Sequence, residues 1–260
     1  MGKIIAVANQ KGGVGKTTTT INLAASFAAM KRRVMLIDLD PQGNATVGSG
    51  VYKDMIVHPS NQVLCEEVSI KDALIKTESG FDLLPTTQDL IVAEMQLLQA
   101  ANREQRLKTI LDEVIDEYDY VLIDCPPSLS VLTLNALVAA DSVLIPIQCE
   151  YFALEGLSAL LNTIEQIRTT INSKLHIEGL LRTMYDGRNR LALDVSAQLL
   201  SHFPDRVYRT VIPRNVRLAE APSHGEPILH YDEKSQGAVA YLALAGEILR
   251  RAEGQTAAVA

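Results

Sequence analysis

Long apolar runs are missing from this chain: no stretch reaches the roughly 20 residues that a membrane span needs. No basic segment followed by an apolar one of export-signal length opens it either. Position six is Ala6 rather than Ser or Thr, so Gly2 does not begin a myristoylation signal. These absences point to a soluble, cytoplasmic protein. Cysteine is scarce, with only Cys65, Cys125 and Cys149, too far apart for a metal knuckle and odd in number. They read as small apolar residues in a reducing compartment rather than as a disulfide framework. The five histidines, His58, His176, His202, His224 and His230, show no H-E-x-x-H spacing, which removes metalloprotease chemistry. Gly48-Ser49-Gly50 lacks the spacing of a nucleophile elbow, and no G-x-G-x-x-G follows the first apolar run, which counts against a dinucleotide cofactor. There is no internal repeat and no Ser/Gly-rich or Pro-rich linker. A single domain over residues 1–253 is expected, with 254–260 a short tail too small and polar to anchor in a membrane.

What the chain does contain is a 47% hydrophobic composition, ample for a sizeable core in 260 residues, and a stretch around which the rest is organised. Ile4-Ile5-Ala6-Val7-Ala8 has the length and β-branching of a buried strand. Asn9-Gln10-Lys11-Gly12-Gly13-Val14-Gly15-Lys16-Thr17-Thr18 follows, and then a helical pattern in which Ile21, Ala24, Ala25 and Ala28 share one stripe. Strand, glycine-rich turn and helix make a phosphate-binding loop credible, because successive backbone N–H groups and the positive helix end favour an anion. Lys16 would reach the terminal phosphates and the Thr17 hydroxyl would ligate Mg²⁺. Gln10 replaces the usual first glycine and Lys11 follows it, so the run matches the deviant Walker A pattern K-G-G-x-G-K-[ST] in full.

Carboxylates recur where buried strands would end. Val34-Met35-Leu36-Ile37 runs into Asp38-Leu39-Asp40-Pro41, and Tyr120-Val121-Leu122-Ile123 into Asp124-Cys125-Pro126-Pro127. Ligands of open parallel sheets bind outside the carboxyl ends of the strands, so Asp38, Asp40 and Asp124 are expected to converge on Lys16. One such aspartate alone would read as a turn cap; three beside a phosphate loop read as a nucleotide and metal site.

Elsewhere, 43–61 carries glycines with little periodicity and reads as a mobile loop. A short helix is expected over 71–76, a strand over 81–85 and helices over 90–99 and 103–118. The second half alternates: helix 132–139, strand 142–148, helix 154–171, strand 177–184, helix 191–202, strand 207–212 and a final helix 236–251. The fold class that follows is α/β, a doubly wound, mostly parallel sheet flanked by helices.

The net charge of −7 disfavours a nucleic-acid partner at first sight, but the charge is uneven. Between Arg182 and Arg217 lie Arg182, Arg188, Arg190, Arg206, Arg209, Arg214 and Arg217 against Asp186, Asp194 and Asp205, leaving that segment +4 and the remainder −11. A solvated face with ion pairs is the plain explanation of such a bias; a phosphate-tracking patch is the other.

Lys11 to Thr18, Asp38-Leu39-Asp40-Pro41-Gln42-Gly43-Asn44, Asp124-Cys125-Pro126-Pro127-Ser128 and Val211-Ile212-Pro213-Arg214-Asn215-Val216-Arg217-Leu218-Ala219-Glu220-Ala221-Pro222 together resemble the ParA/Soj partition ATPases, from about Lys3 to Leu249. Ile4 already begins the first strand, which resembles the short chromosomal-type members without an N-terminal helix-turn-helix. The resemblance implies an ATP-dependent, nucleoid-associated switch: the protein binds ATP and Mg²⁺ and closes into a sandwich homodimer. It then coats double-stranded DNA without sequence preference, and hydrolyses ATP when a ParB-type partner engages. It further implies that Gly12, Gly13, Val14, Gly15, Lys16, Thr17 and Thr18 bind the phosphates while Lys11 reaches the other subunit's nucleotide. Asp40 would position the attacking water, with Thr17, Asp38 and Asp124 supporting the metal. Pro213 and Asn215 would lie near the adenine, and Arg188 and Arg217 would touch DNA. A MinD-like membrane-cycling ATPase shares the loop but needs a basic amphipathic C-terminal helix that 254–260 does not supply, so no stable membrane association is expected. An iron-protein-like reductase would need cluster cysteines in glycine-flanked turns, and a metabolic ligase or kinase could use the same loop.

Overall fold

Strand β1 (Lys3–Val7) is buried along all but its first residue, as a strand covered on both faces must be. Its alternation shows what covers it: Ile4 and Ala6 join one apolar cluster, Ile5 and Val7 another. β2 (Val34–Asp38) divides in the same way, Met35 and Ile37 against Val34 and Leu36. The computed structural model describes the backbone of residues 2–259 and the side chains of residues 2–254. In chain order the remaining strands are β3 (Ile75–Lys76), β4 (Asp82–Leu84), β5 (Tyr120–Asp124), β6 (Ser142–Gln148), β7 (His176–Tyr185) and β8 (Val207–Pro213). They form one eight-stranded sheet in the order β3-β4-β2-β5-β1-β6-β7-β8. Every pairing is parallel except β3 with β4. This is the doubly wound α/β sheet expected from the alternation of strand and helix patterns.

On one face lie the helix α1 (Lys16–Ala29) and the long final helix Gln236–Val259, which packs on both α1 and β8. The other face carries the helices Leu90–Leu97, Arg106–Asp112, Val131–Ala139, Ala153–Thr170 and Arg190–His202. No helix among the described residues is long and apolar enough to cross a membrane. The final helix continues past its expected end near Arg251; side chains of the tail from residue 255 lie outside the described residues.

Three departures from the sequence reading have local causes. Residues 43–61 do not form a loose loop: Asn44–Gly48 is helical, Lys53–Met55 is a 3₁₀ turn, and Ala45, Thr46 and Val51 are buried. Thr46 anchors the first helix by donating both its N–H and its hydroxyl to Asp38, at 2.8 and 2.7 Å. Gly48 permits close approach, since a Cβ there would come within 2.7 Å of Ile21. The helix expected over 103–118 shrinks to Arg106–Asp112 and a 3₁₀ turn at Ile115–Glu117. Asn135 sets its start by donating to the Arg103 carbonyl and accepting the Leu107 N–H. Within 71–76, helix ends at Ala73 because Ile75 and Lys76 pair antiparallel with β4.

At Gly179 the edge of the sheet leaves no room for a side chain, because an added Cβ would overlap the ring of the fully buried Tyr208, with Cζ at 2.7 Å. Gly179→Ala is therefore expected to destabilise the fold by ~1–3 kcal/mol, the usual cost of overpacking, lowering the thermal midpoint by several degrees. An unchanged midpoint in a thermal scan would show that Tyr208 can yield.

Candidate functional site

The loop between β1 and α1 is held from both flanks. Asn9 donates through Nδ2 to the Pro146 carbonyl at 2.7 Å and accepts the Lys11 N–H on Oδ1 at 3.0 Å, tying the entrance to β6. Thr183, at the end of β7, donates its hydroxyl to the Val14 carbonyl at 2.8 Å, tying the exit. Gly13 and Gly15 have φ of +74° and +86°, a left-handed backbone that disfavours any side chain, and Gly15 caps α1. Lys16 opens the helix and is buried, its Nζ donating to the Lys11 carbonyl at 3.3 Å. Burial lowers its pKa, opposed by the charges of Asp124, Cys125 and Asp40. Lys11 behaves differently: it is half-exposed and its Nζ pairs with Glu150 at 2.6 Å. Gly12 is exposed, with nothing within 4 Å of where a Cβ would stand.

The carboxylates do converge. Asp38 and Asp124 are register partners at the ends of β2 and β5, both fully buried. Asp124 accepts the Thr17 hydroxyl on Oδ2 at 2.7 Å and the Thr20 hydroxyl on Oδ1 at 3.2 Å. Asp38 accepts the Asp40 N–H on one oxygen and the two Thr46 donors on the other. Burial raises the pKa of both, to about 6 for Asp38 and about 8 for Asp124, the latter also through repulsion by Asp38. Asp40 lines the cleft, its Oδ1 fixed by the Gln42 N–H at 3.0 Å. Among the described residues no group of three or more His, Cys, Asp or Glu could hold a metal ion by itself. The donor set suits Mg²⁺ all the same, since that ion keeps several waters and takes one or two protein oxygens beside phosphate. Thr17 lines the cleft and could supply one of those oxygens; Asp38 and Asp124, both fully buried and turned to protein donors, could support it from behind.

A cleft of about 620 Å³ opens beside the loop, within the size range of small-ligand sites. Lys16, Thr17 and Thr18 line it together with Pro213 and Asn215, which the structure brings to the loop from the end of β8. Asn215 also caps the helix Val216–Glu220, accepting the Leu218 N–H at 3.3 Å. Thr183, Met184 and Tyr241 line the cleft as well and were not singled out in the sequence. Met184 has φ of +47°, rare for a non-glycine residue, at the point where β7 delivers the chain to the cleft. Thr20 and Glu150 were equally unsignalled; only their side-chain contacts reveal them.

The arginine segment divides. Arg182 is buried, donating to the Ser196 hydroxyl and the Tyr208 carbonyl, and is part of the core. Arg206 donates to the Ile177 carbonyl near the amino end of β7. Arg188, Arg190, Arg214 and Arg217 are exposed, Arg188 and Arg214 in the turns that follow β7 and β8 and Arg190 and Arg217 in the helices those turns lead into. Arg188 pairs with Asp186 at 2.8 Å, and Arg217 with Glu220 at 2.9 Å and Asp232 at 3.6 Å.

The raised carboxylate values fix a pH dependence. Groups with folded values above the unfolded one hold protons more tightly in the native state, so their contribution to stability is greatest at low pH. It is lost as pH rises from about 4 through 6 and 8. Asp124→Asn removes one buried charge, and its amide can still meet both hydroxyls, because Thr20 has the Lys16 carbonyl as an alternative acceptor at 3.0 Å. The apo variant is expected to be more stable than wild type at pH 8 by ~1–2 kcal/mol and to lose much of the slope between pH 6 and 8. Thermal scans in chelator that gave parallel pH profiles would show that Asp124 is not the titrating group.

An AAA domain family model matches residues 2–177. The chromosome partitioning protein ParA of Myxococcus xanthus is 50% identical over 252 residues, 96% of this chain and 89% of that protein. The chromosome-partitioning ATPase Soj of Thermus thermophilus is 52% identical over 251 residues, 96% of each. Among solved structures, cobyrinic acid a,c-diamide synthase from Mycobacterium smegmatis with bound ADP and magnesium superposes with a TM-score of 0.86 at 40% identity, covering 97% of this chain and 96% of that one. About half of the sequence is thus shared with partition proteins over most of their length, and the chain belongs to the ParA/Soj family of P-loop chromosome-partitioning ATPases.

Proposed function

We propose that this protein is an ATP-dependent DNA-segregation switch: it binds MgATP in the cleft, closes into a sandwich dimer and coats DNA without sequence preference. It releases DNA after a ParB-type partner stimulates hydrolysis. The observation that carries this reading is the exposed mouth of the loop. Lys16 is buried over the cleft, whereas Lys11 is half-exposed on Glu150 and Gly12 faces open space. A second lysine so placed is available to a nucleotide held by another copy. ATP hydrolysis belongs to the family; the assignment of roles is ours. The loop N–H groups, Lys16 and Thr18 hold the phosphates, and Thr17, supported by Asp38 and Asp124, would hold a magnesium ion that would neutralise charge on the phosphates. Asp40 orients the attacking water, and Pro213 and Asn215 flank the base. Arg188 and Arg217 contact DNA phosphates, and two protomers held rigidly together present them to one duplex at high effective concentration.

The central test is DNA binding with no nucleotide, with ADP and with ATP; binding that ignores the nucleotide would overturn the switch. The solved Mycobacterium smegmatis relative carries a synthase's name. Turnover stimulated by a small metabolite, rather than by DNA with a partner protein, would favour that kind of chemistry here.

Four variants separate the steps. Asp40→Ala should bind ATP and dimerise but hydrolyse it at least tenfold more slowly, staying on DNA; normal turnover would remove Asp40 from the mechanism. Gly12→Val should fold as wild type, there being room for its side chain, yet remain monomeric in ATP by light scattering. An ATP-dependent dimer of that variant would place the mouth of the loop away from the interface. Arg188→Ala and Arg217→Ala should keep ATP-dependent dimerisation while each flattens the slope of log affinity against log salt by roughly two. That figure takes about 0.9 per phosphate contact and two protomers. Weakening should be equal on unrelated duplexes. Wild-type salt dependence in both variants would move the DNA surface elsewhere.

A further inference from the structure

We propose that Thr183 is a positioning residue for the phosphates, acting through the Val14–Gly15 peptide. The inference rests on the nucleotide reading of the cleft. Its hydroxyl donates to the Val14 carbonyl at 2.8 Å, and Thr183 is buried, so that bond has little competition from water. No peptide bond among the described residues is cis, and in a planar trans peptide the C=O and N–H point in opposite directions. Holding the Val14 carbonyl against β7 therefore aims the Gly15 N–H to the opposite side, into the curve of the loop just before Lys16. Gly15 has φ of +86° and caps α1 with no side-chain cap, so its own backbone is what orients the first amides of the helix. The Thr183 methyl adds a second constraint: Cβ and Cγ2 stand 3.8 Å from where a Gly15 side chain would begin. With the Val14 side chain itself buried, carbonyl and side chain are both fixed and the peptide has one orientation. An amide dipole pre-aimed at an anion needs no reorganisation when the anion arrives, which is why such a clamp affects affinity for phosphate rather than for the base.

Thr183→Val keeps the branched shape and removes the hydroxyl; Thr183→Ser keeps the hydroxyl and removes the methyl. Binding of ATP, ADP and adenosine to the full chain is measured by calorimetry, with apo thermal midpoints recorded alongside. The valine variant is expected to lose about tenfold in affinity for ATP and ADP, ~1.4 kcal/mol, with adenosine affinity unchanged, and serine is expected to restore most of the loss. Equal weakening for adenosine would mean that the cleft wall has collapsed, and overturns the positioning role. Wild-type affinity of the valine variant overturns it too, as does a serine variant no better than valine. If the wild-type chain itself binds no nucleotide, the reading of the cleft falls first and the inference with it; nucleotide binding by wild type and valine variant alike removes the inference alone.

Discussion

Two fully buried carboxylates stand side by side on neighbouring parallel strands, and the site is built on that tension. Register places Asp38 opposite Asp124, and burial on both faces of the sheet leaves each charge dependent on protein donors. Three hydrogen bonds reach Asp38 and two reach Asp124, yet both pKa values remain raised. Lys16 does not settle the matter, because its own burial lowers its pKa at the same time. Three buried acids, Asp38, Asp40 and Asp124, and one buried base leave the pocket short of positive charge. A cation accompanied by phosphate is the kind of ligand that completes such a set, because it relieves the carboxylates while the phosphate satisfies the lysine and the loop amides.

The same tension accounts for local structure that would otherwise look arbitrary. The helix Asn44–Gly48 forms where a loop was expected because Asp38 requires donors, and Thr46 supplies two of them. The Thr46 hydroxyl in turn accepts the Thr86 N–H at 3.0 Å, carrying the influence of Asp38 to the chain beyond β4. On α1, Thr17 and Thr20 are spaced so that both hydroxyls reach Asp124. Threonine is a modest helix former, and four in a row from Thr17 to Thr20 would be hard to justify by propensity alone. Here Thr17 and Thr20 serve Asp124, while Thr19 meets the Tyr241 hydroxyl at 3.2 Å and so bonds α1 to the final helix.

The fold class, the phosphate loop and the carboxylate cluster were legible because each rests on a short-range pattern. β-branched runs ending in aspartate mark buried strands and their carboxyl ends, and glycines at fixed offsets mark the turn. What escaped notice was long-range. Thr183 looks like any strand threonine until β7 is laid beside β6, and Glu150 is an ordinary surface acid until Lys11 is found against it. Arg182 shows the opposite failure: counted with a charged surface on composition, it proves to be a core residue bound to Ser196 and the Tyr208 carbonyl. Charge counted along the chain cannot separate the two faces of a strand, and β7 alternates faces through Arg182.

Once the buried Arg182, Arg206 beside the amino end of β7 and Arg209 within β8 are set aside, the remaining arginines of the segment share a location with a reason behind it. β7 and β8 end together, Tyr185 pairing with Pro213, so the turns that follow them lie side by side. Asp186 responds to Arg214 as well as to Arg188, and these contacts hold its carboxyl well below the usual range. Pro213 at the end of β8 walls the cleft and Arg214 follows it, while Thr183 holds the loop from near the end of β7, just before the turn that carries Arg188. A nucleotide in the cleft and a polyanion on the arginines would therefore meet the same sheet edge. The guanidinium groups of Arg188 and Arg217 are paired with exposed acids, and exposed pairs contribute little to stability and yield readily to salt. A lone phosphate gains little by displacing such a partner. A duplex offers phosphates at fixed spacing, and an array of weak exchanges made at once is favourable where each alone is not, so an acidic protein can carry a DNA surface that responds to how many copies are held together.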